Sequence, residues 1–192
     1  MSSSETEICN AALIWLGHST IASLDEDSKA ARIANATYEM IRDETLRNHP
    51  WNFANARVKL SATGTAPAFG PGLAYTLPAD CLKVRAVNYS DPSTGAWSIE
   101  GNEILTDLGA PLEVTYTKRV TDTGLYDPSY TLQLSYNLAR HWAEPLAKAA
   151  TLKTAVKEDL AEILQNARTS DGQESTATLF AESSWLSGRS GW

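Results

Sequence analysis

Two cysteines and three histidines are all the thiol and imidazole chemistry that the 192 residues carry. Cys9 and Cys81 stand alone, without CxxC or metal-ligand spacing, so neither a disulfide framework nor a zinc knuckle is expected. In a reducing cytosol both read as small core hydrophobes. His18, His49 and His141 are scattered, and no pair is spaced to aim two imidazoles at one metal. His49 is expected to cap a helix C-terminus and His141 to lie within a helical bundle. Phosphate-cradling loops are missing as well: the glycine-bearing segments 64–72 and 188–191 match neither a P-loop nor a dinucleotide fingerprint, and neither joins a strand to a helix. Long apolar runs are also missing. The longest uncharged stretch, residues 60–79, is broken by Pro67, Pro71 and Pro78 and reads as loop rather than membrane helix. Positive charge is scarce, with 16 Lys plus Arg against 23 Asp plus Glu and a net charge of −7. That is the wrong sign for a protein gripping a phosphate backbone, and the longest basic run is Lys118-Arg119. Residues 1–7 have no basic flank and no apolar run, so cytoplasmic synthesis without export is the expectation.

What is present suits a folded domain. The chain is 43% hydrophobic and 20% charged, near the globular average, and a chain of this mass buries roughly 70% of its unfolded surface on folding. One core is expected. Ser4 and Glu7 form a capping box that opens a first helix with Ile8, Ala12, Trp15 and Leu16 on one face, and Gly17 is placed to stop it. A second helix carries Ala30, Ala34, Tyr38, Ile41 and Thr45 on one stripe and must end near His49, because Pro50 restricts the residue before it.

From Trp51 to about Leu125 the period becomes two. Leu82, Val84 and Ala86 alternate with Lys83 and Arg85, and Leu112, Val114 and Tyr116 alternate with Glu113, Thr115 and Thr117. Gly101-Asn102 reads as the two-residue loop of a hairpin between residues 97–100 and 103–106. Helical spacing returns after Asp127-Pro128, an N-cap and first-turn pair, with Leu134, Leu138, His141, Trp142, Leu146 and Ala149 on its stripe and a kink expected at Pro145. Val156, Leu160, Ile163, Leu164 and Ala167 give a fourth helix. The fold class is therefore α+β: an antiparallel bundle of about four helices, residues 1–50 and 127–178, with an antiparallel β-sheet domain inserted at 51–126. A C-terminal arm, 179–192, holds two of the six tryptophans and is either packed back on its own domain or a docking segment that orders on a partner.

Catalytic constellations are sparse. Glu39 and Asp43, four apart on the second helix, are near enough to serve as a carboxylate pair, with Arg42 and Arg47 beside them as the ingredients of a solvated ion-paired face. The alternative reading to a structural role is thus a carboxylate-dependent cell-wall glycan hydrolase, using Glu39 or Asp43.

Three blocks carry a resemblance. Residues 8–17 followed by Ser23-Leu-Asp-Glu26, residues 42–57 (Arg-Asp-Glu-Thr-Leu-Arg-Asn-His-Pro-Trp-Asn-Phe-Ala-Asn-Ala-Arg), and residues 75–84 (Tyr-Thr-Leu-Pro-Ala-Asp-Cys-Leu-Lys-Val) are similar to the head-to-tail adaptor family of short-tailed bacteriophages, also called tail tubular protein A. Residues 139–167 resemble that family's paired C-terminal helices, and Trp185-Leu-Ser-Gly-Arg189 a tail motif. The extra Ser190-Gly-Trp192 and the Pro/Gly loop 63–72 depart from the pattern. The resemblance implies a non-enzymatic virion connector without cofactor or metal. It implies a ring of about twelve copies with two different complementary subunit surfaces, set between the portal and the tail nozzle (tail tubular protein B) or tail fibre proteins. Genome DNA would pass through without specific binding, which an acidic lining favours. Assembly in the bacterial cytoplasm, a free monomer before assembly and no membrane follow from the same picture. Trp185, Leu186, Arg189 and Trp192 are expected to dock on the portal as aromatic and Arg anchors. Pro50, Trp51, Phe53, Pro78 and Asp80 form the family's structural motif, in which Trp51 and Phe53 anchor the first strand to the bundle and Asp80 satisfies turn backbone.

Overall fold

A computed structural model of the chain describes residues 4–88 and 96–146. The expected fourth helix, Ala149 and the arm with Trp185, Leu186, Arg189 and Trp192 lie outside the described residues. Among those described, the element order is α1 (Glu5–Trp15), α2 (Lys29–Asn48), β1 (Asn55–Leu60), β2 (Leu73–Thr76), β3 (Cys81–Val87), β4 (Trp97–Glu100), β5 (Glu103–Thr106), β6 (Leu112–Lys118) and α3 (Pro128–Leu146), with short 3-10 turns at Asn52–Ala54 and Thr123–Leu125. The α+β class holds. Three α-helices, not four, stand among the described residues.

Local chemistry sets the helix ends. Ser4 Oγ accepts from the Glu7 amide while Glu7 Oε2 accepts from the Ser4 amide at 2.7 Å, the reciprocal capping box. Gly17, at φ 63°, takes the left-handed position after α1 that a side chain would resist. Its amide donates to Ile14 O and that of His18 to Leu13 O. Ser28 caps α2, which ends at Asn48 as Pro50 requires. Asp127 Oδ1 accepts from Ser129 N at 2.7 Å, with Pro128 as the first residue of α3.

The predicted stripes of α2 and α3 are largely buried against each other and α1. Two threonines let these faces carry hydroxyls. Thr37 and Thr45 each donate to the carbonyl four residues back and accept from α3, from Trp142 Nε1 and Asn137 Nδ2 respectively, both at 2.9 Å. Two expectations fail at the rims. Trp15 is exposed, covering Tyr136 with its ring (centroids 4.5 Å apart), and His141 faces solvent 3.7 Å from Glu44 rather than lying inside. Helical period marks a face but not how far its neighbours reach around it.

The β region forms two three-stranded antiparallel sheets, β1-β6-β3 and β2-β5-β4, where one was expected. Gly101-Asn102 closes the β4–β5 hairpin with Glu100 opposite Glu103, and the positive φ of 57° falls on Gly101, the first loop position. The single expected core is likewise two clusters. One is helical, reaching to Trp51, Ala54 and Val120. The other is shared by the two sheets, with Tyr75 and Ile104 from one meeting Val84, Leu112, Val114 and Tyr116 of the other. The alternation of β6 is as predicted through Tyr116 but breaks at Thr117, which is buried and accepts from Arg85. That of β3 is not as predicted: its pairing with β6 shifts register between Cys81 and Lys83 and again between Val84 and Ala86. These irregularities turn Leu82 toward the helical cluster and leave Cys81, Val84 and Val87 in the sheet cluster.

Candidate functional site

Two of the three blocks of the resemblance, residues 42–57 and 75–84, meet where the C-terminal end of α2 abuts the sheets. Trp51 is fully buried beneath that helix end, with its indole N–H on Thr45 O at 3.3 Å. His49 stands edge-on to it at 4.7 Å, and Tyr130 at 5.3 Å from the other side. Phe53 packs on Tyr130 and Tyr126, at 5.0 and 5.8 Å, and those two tyrosines lie 4.8 Å apart. Edge-on aromatic contacts of this kind add about 1 kcal/mol each beyond their buried area. Trp51 and Phe53 thus pack the start of β1 against the helices, with Tyr130 supplied by α3 and Tyr126 by the turn before it. Burial pushes the Tyr126 phenol up to about 12 and that of Tyr130 well above its ordinary value. Both stay neutral at physiological pH.

Hydrogen bonds tie the helix end to β3 directly. Arg47 Nη1 donates to Leu82 O, and Arg85 Nη2 donates back to Arg47 O at 2.9 Å while its Nε donates to Thr117 Oγ1 at 2.7 Å. Asp80 behaves differently from the expectation. Its side chain accepts from Tyr116 Oη at 3.2 Å, and it is the Asp80 carbonyl that takes a backbone amide, that of Arg119, at 2.7 Å. Pro78 does the turn work instead, its carbonyl accepting from Cys81 N.

Glu39 and Asp43 are brought to one helix face, where each stands beside Arg42. The Glu39 side chain is 81% exposed, 3.9 Å from Arg42 Nη1. Asp43 is gripped on both oxygens, by Arg42 Nε at 2.9 Å and Arg119 Nε at 2.7 Å. The Arg42 side chain is only 3% exposed. Burial works against its charge, and the hydrogen bond and charge of Asp43 outweigh that, holding the guanidinium firmly protonated. This is a tie between α2 and the chain leaving β6, with one arginine hydrogen bond on each carboxylate oxygen. Nor do the thiols look like nucleophiles: burial, then Glu5, pushes Cys9 up to about 12, and burial, then Asp80, raises Cys81. Among the described residues no group of His, Cys, Asp and Glu is arranged to hold a metal, and no helix is long and apolar enough to cross a membrane.

No family model and no curated protein matches the chain. Its reading therefore rests on its own residues. Sequence reasoning missed two participants in the junction, Arg119 as the second grip on Asp43 and Arg85 as the return bond to Arg47. The first appeared only as part of a short basic run and the second only as the polar phase of a strand. Neither partner is near in sequence.

Proposed function

We propose that the chain is a structural head-to-tail connector of a short-tailed phage virion, one of about twelve copies in a ring between portal and tail nozzle, with no catalytic role. The observation that carries the reading is the interlock of its two signature blocks: residues 42–57 and 75–84 are bonded to each other through Arg47 and Leu82, and Arg85 returns the bond to Arg47. Residues conspicuous in sequence here act as joinery between a helical layer and a sheet layer, which is what a rigid ring subunit needs. The net charge of −7 favours a lining over which DNA slides.

In this reading residues 156–167 complete a four-helix bundle around α1, α2 and α3. The arm 179–192 docks on the portal through Trp185, Leu186, Arg189 and Trp192, and the free protein is a monomer. Nozzle or fibre proteins meet the opposite face, and the protein resides in the virion neck after assembly in the bacterial cytoplasm.

The test is mass in solution by light scattering, of the full chain alone and mixed with the portal ring encoded beside it. A monomer that joins a ring complex only with portal supports the connector. A chain indifferent to portal counts against it. Removal of residues 185–192 is expected to abolish portal binding with the thermal midpoint unchanged.

A further inference from the structure

A groove of about 440 Å³ runs between β3 and β4, lined on its apolar side by Leu77, Leu82, Val84, Trp97 and Ile99. Three observations give it a chemistry. Both strands are sheet edges, β3 in the order β1-β6-β3 and β4 in the order β2-β5-β4, so each has a side without a partner strand. Trp97 and Ile99, 39% and 46% exposed, fall on the same face of β4 by the two-residue alternation. Cations stand beside this apolar floor: Arg47 and Lys83 line the groove, and Arg85 donates to the Arg47 carbonyl. Among the described residues, Arg47 and Arg85 spend their donors on carbonyls and a threonine hydroxyl, and no carboxylate pairs with either or with Lys83. In a chain of net charge −7, three unpaired cations at one place are a local reversal of sign. Burial, and after it the Arg47 charge, weakens Arg85's hold on its proton. An incoming negative charge relieves that repulsion. Glu100, at the end of β4, falls on that strand's other face and lines a separate cavity with Glu103, and the Asp80 carboxylate, beside the groove-lining Cys81, accepts from Tyr116 Oη.

We propose that this groove binds an extended acidic segment of a partner protein, one that carries large apolar side chains and carboxylates together on one face of the strand it adds beside β4. Its apolar side chains meet Trp97 and Ile99, and its carboxylates meet Arg47, Lys83 and Arg85. The apolar floor separates this surface from a phosphate-binding strip, which has no use for an exposed Trp and Ile side by side. The inference does not depend on the connector reading.

The probe is a synthetic seven-residue peptide, Glu-Ser-Leu-Ser-Trp-Ser-Glu, whose alternation puts both carboxylates on the face of its Leu and Trp, titrated by calorimetry into the full chain at low salt, beside the same peptide with Lys for Glu. The acidic peptide is expected to bind and the basic one not. Lys83→Glu and, separately, Ile99→Asp are expected to weaken binding at least tenfold, as is a rise to 0.5 M NaCl. Methylating the peptide's backbone amides on the edge facing β4 abolishes it. Both substituted side chains are partly or fully exposed, and an unchanged thermal midpoint shows that the variants fold; if Ile99→Asp does not, Lys83→Glu decides alone. Equal binding of acidic and basic peptides, or affinity unmoved by Lys83→Glu, overturns the proposal. So does displacement of the acidic peptide by a single-stranded oligothymidylate, which would assign the cations to phosphate. Tighter binding of a peptide of residues 179–192 would assign the groove to the chain's own arm and overturn it likewise.

Discussion

The helical layer and the sheet layer exclude water by different means. Around Trp51 the helices close on an aromatic cluster and a buried arginine, with caps at each N-terminus and polar side chains threaded between α2 and α3. The sheets share a smaller apolar cluster, and β4 leaves all four of its side chains exposed. The difference teaches where each kind of work is done: the helical layer is built so that few groups can be altered without loss, while the sheet layer keeps one margin open to a partner.

The sharpest test of that contrast is Trp51→Ala, which empties the centre of the aromatic cluster. It is expected to lower the unfolding free energy by about 4 kcal/mol, read from urea titration; a loss near 1 kcal/mol would place the stability elsewhere. Next comes Ile104→Ala, at a fully buried residue of the sheet cluster. A loss of about 3 kcal/mol is expected, smaller than for Trp51 because the removed side chain is smaller, and a larger loss than Trp51→Ala would invert the comparison. Asp43→Ala strands Arg42 with its charge buried and should cost about 2 kcal/mol, less than for a fully buried pair because Asp43 is partly wet. If Asp43 were catalytic, this variant would abolish turnover of a glycan while leaving the urea midpoint in place. Alkaline pH acts on the helical layer through its phenols. Below pH 10 Tyr126 is neutral whether folded or not; above it the unfolded chain loses the proton while the folded one, with its phenol raised to about 12, retains it. Stability therefore falls between pH 10 and 12, with Tyr38 and Tyr130 shifted in the same direction. Phenolate absorbance should rise together with loss of helical circular dichroism; phenolate appearing first, with the helices intact, would contradict it. Ser4→Ala, which removes one half of the capping box, is the mildest, about 1 kcal/mol, checked by the thermal midpoint.

Much of the fold was legible because its signals are local. The Ser4 cap, Gly17, Pro50, Asp127-Pro128 and the Gly101-Asn102 hairpin each depend on backbone geometry within a few residues. What escaped was set by distant partners. Two sheets rather than one depend on which strands pair, β1 with β6 and β2 with β5, and no short-range pattern encodes that choice. Leu82 changed layer through a register shift invisible in its alternation. Trp15 and His141 sat at the limits of their stripes, where coverage depends on a neighbouring helix. The candidate groove left no trace at all in the sequence, because Arg47, Lys83, Trp97 and Ile99 come from three separate elements and meet only after the sheets have formed. The anchor residues of the motif fared better: an indole and a benzyl ring just past a helix-ending proline have few places to go but inward.

The tryptophans turn the contrast between layers into an optical one. Trp51 and Trp142 are sealed in the helical cluster, while Trp97 on the open strand and Trp15 at the helical rim are exposed. Indole emission is blue and shielded from collisional quenchers when enclosed, and red and readily quenched when wet. A Trp97→Phe chain subtracted from the unaltered one thus isolates the signal of the strand margin. The molecule already contains separate lamps for its closed interior and its open edge, and acrylamide dims them at different rates without any label being attached.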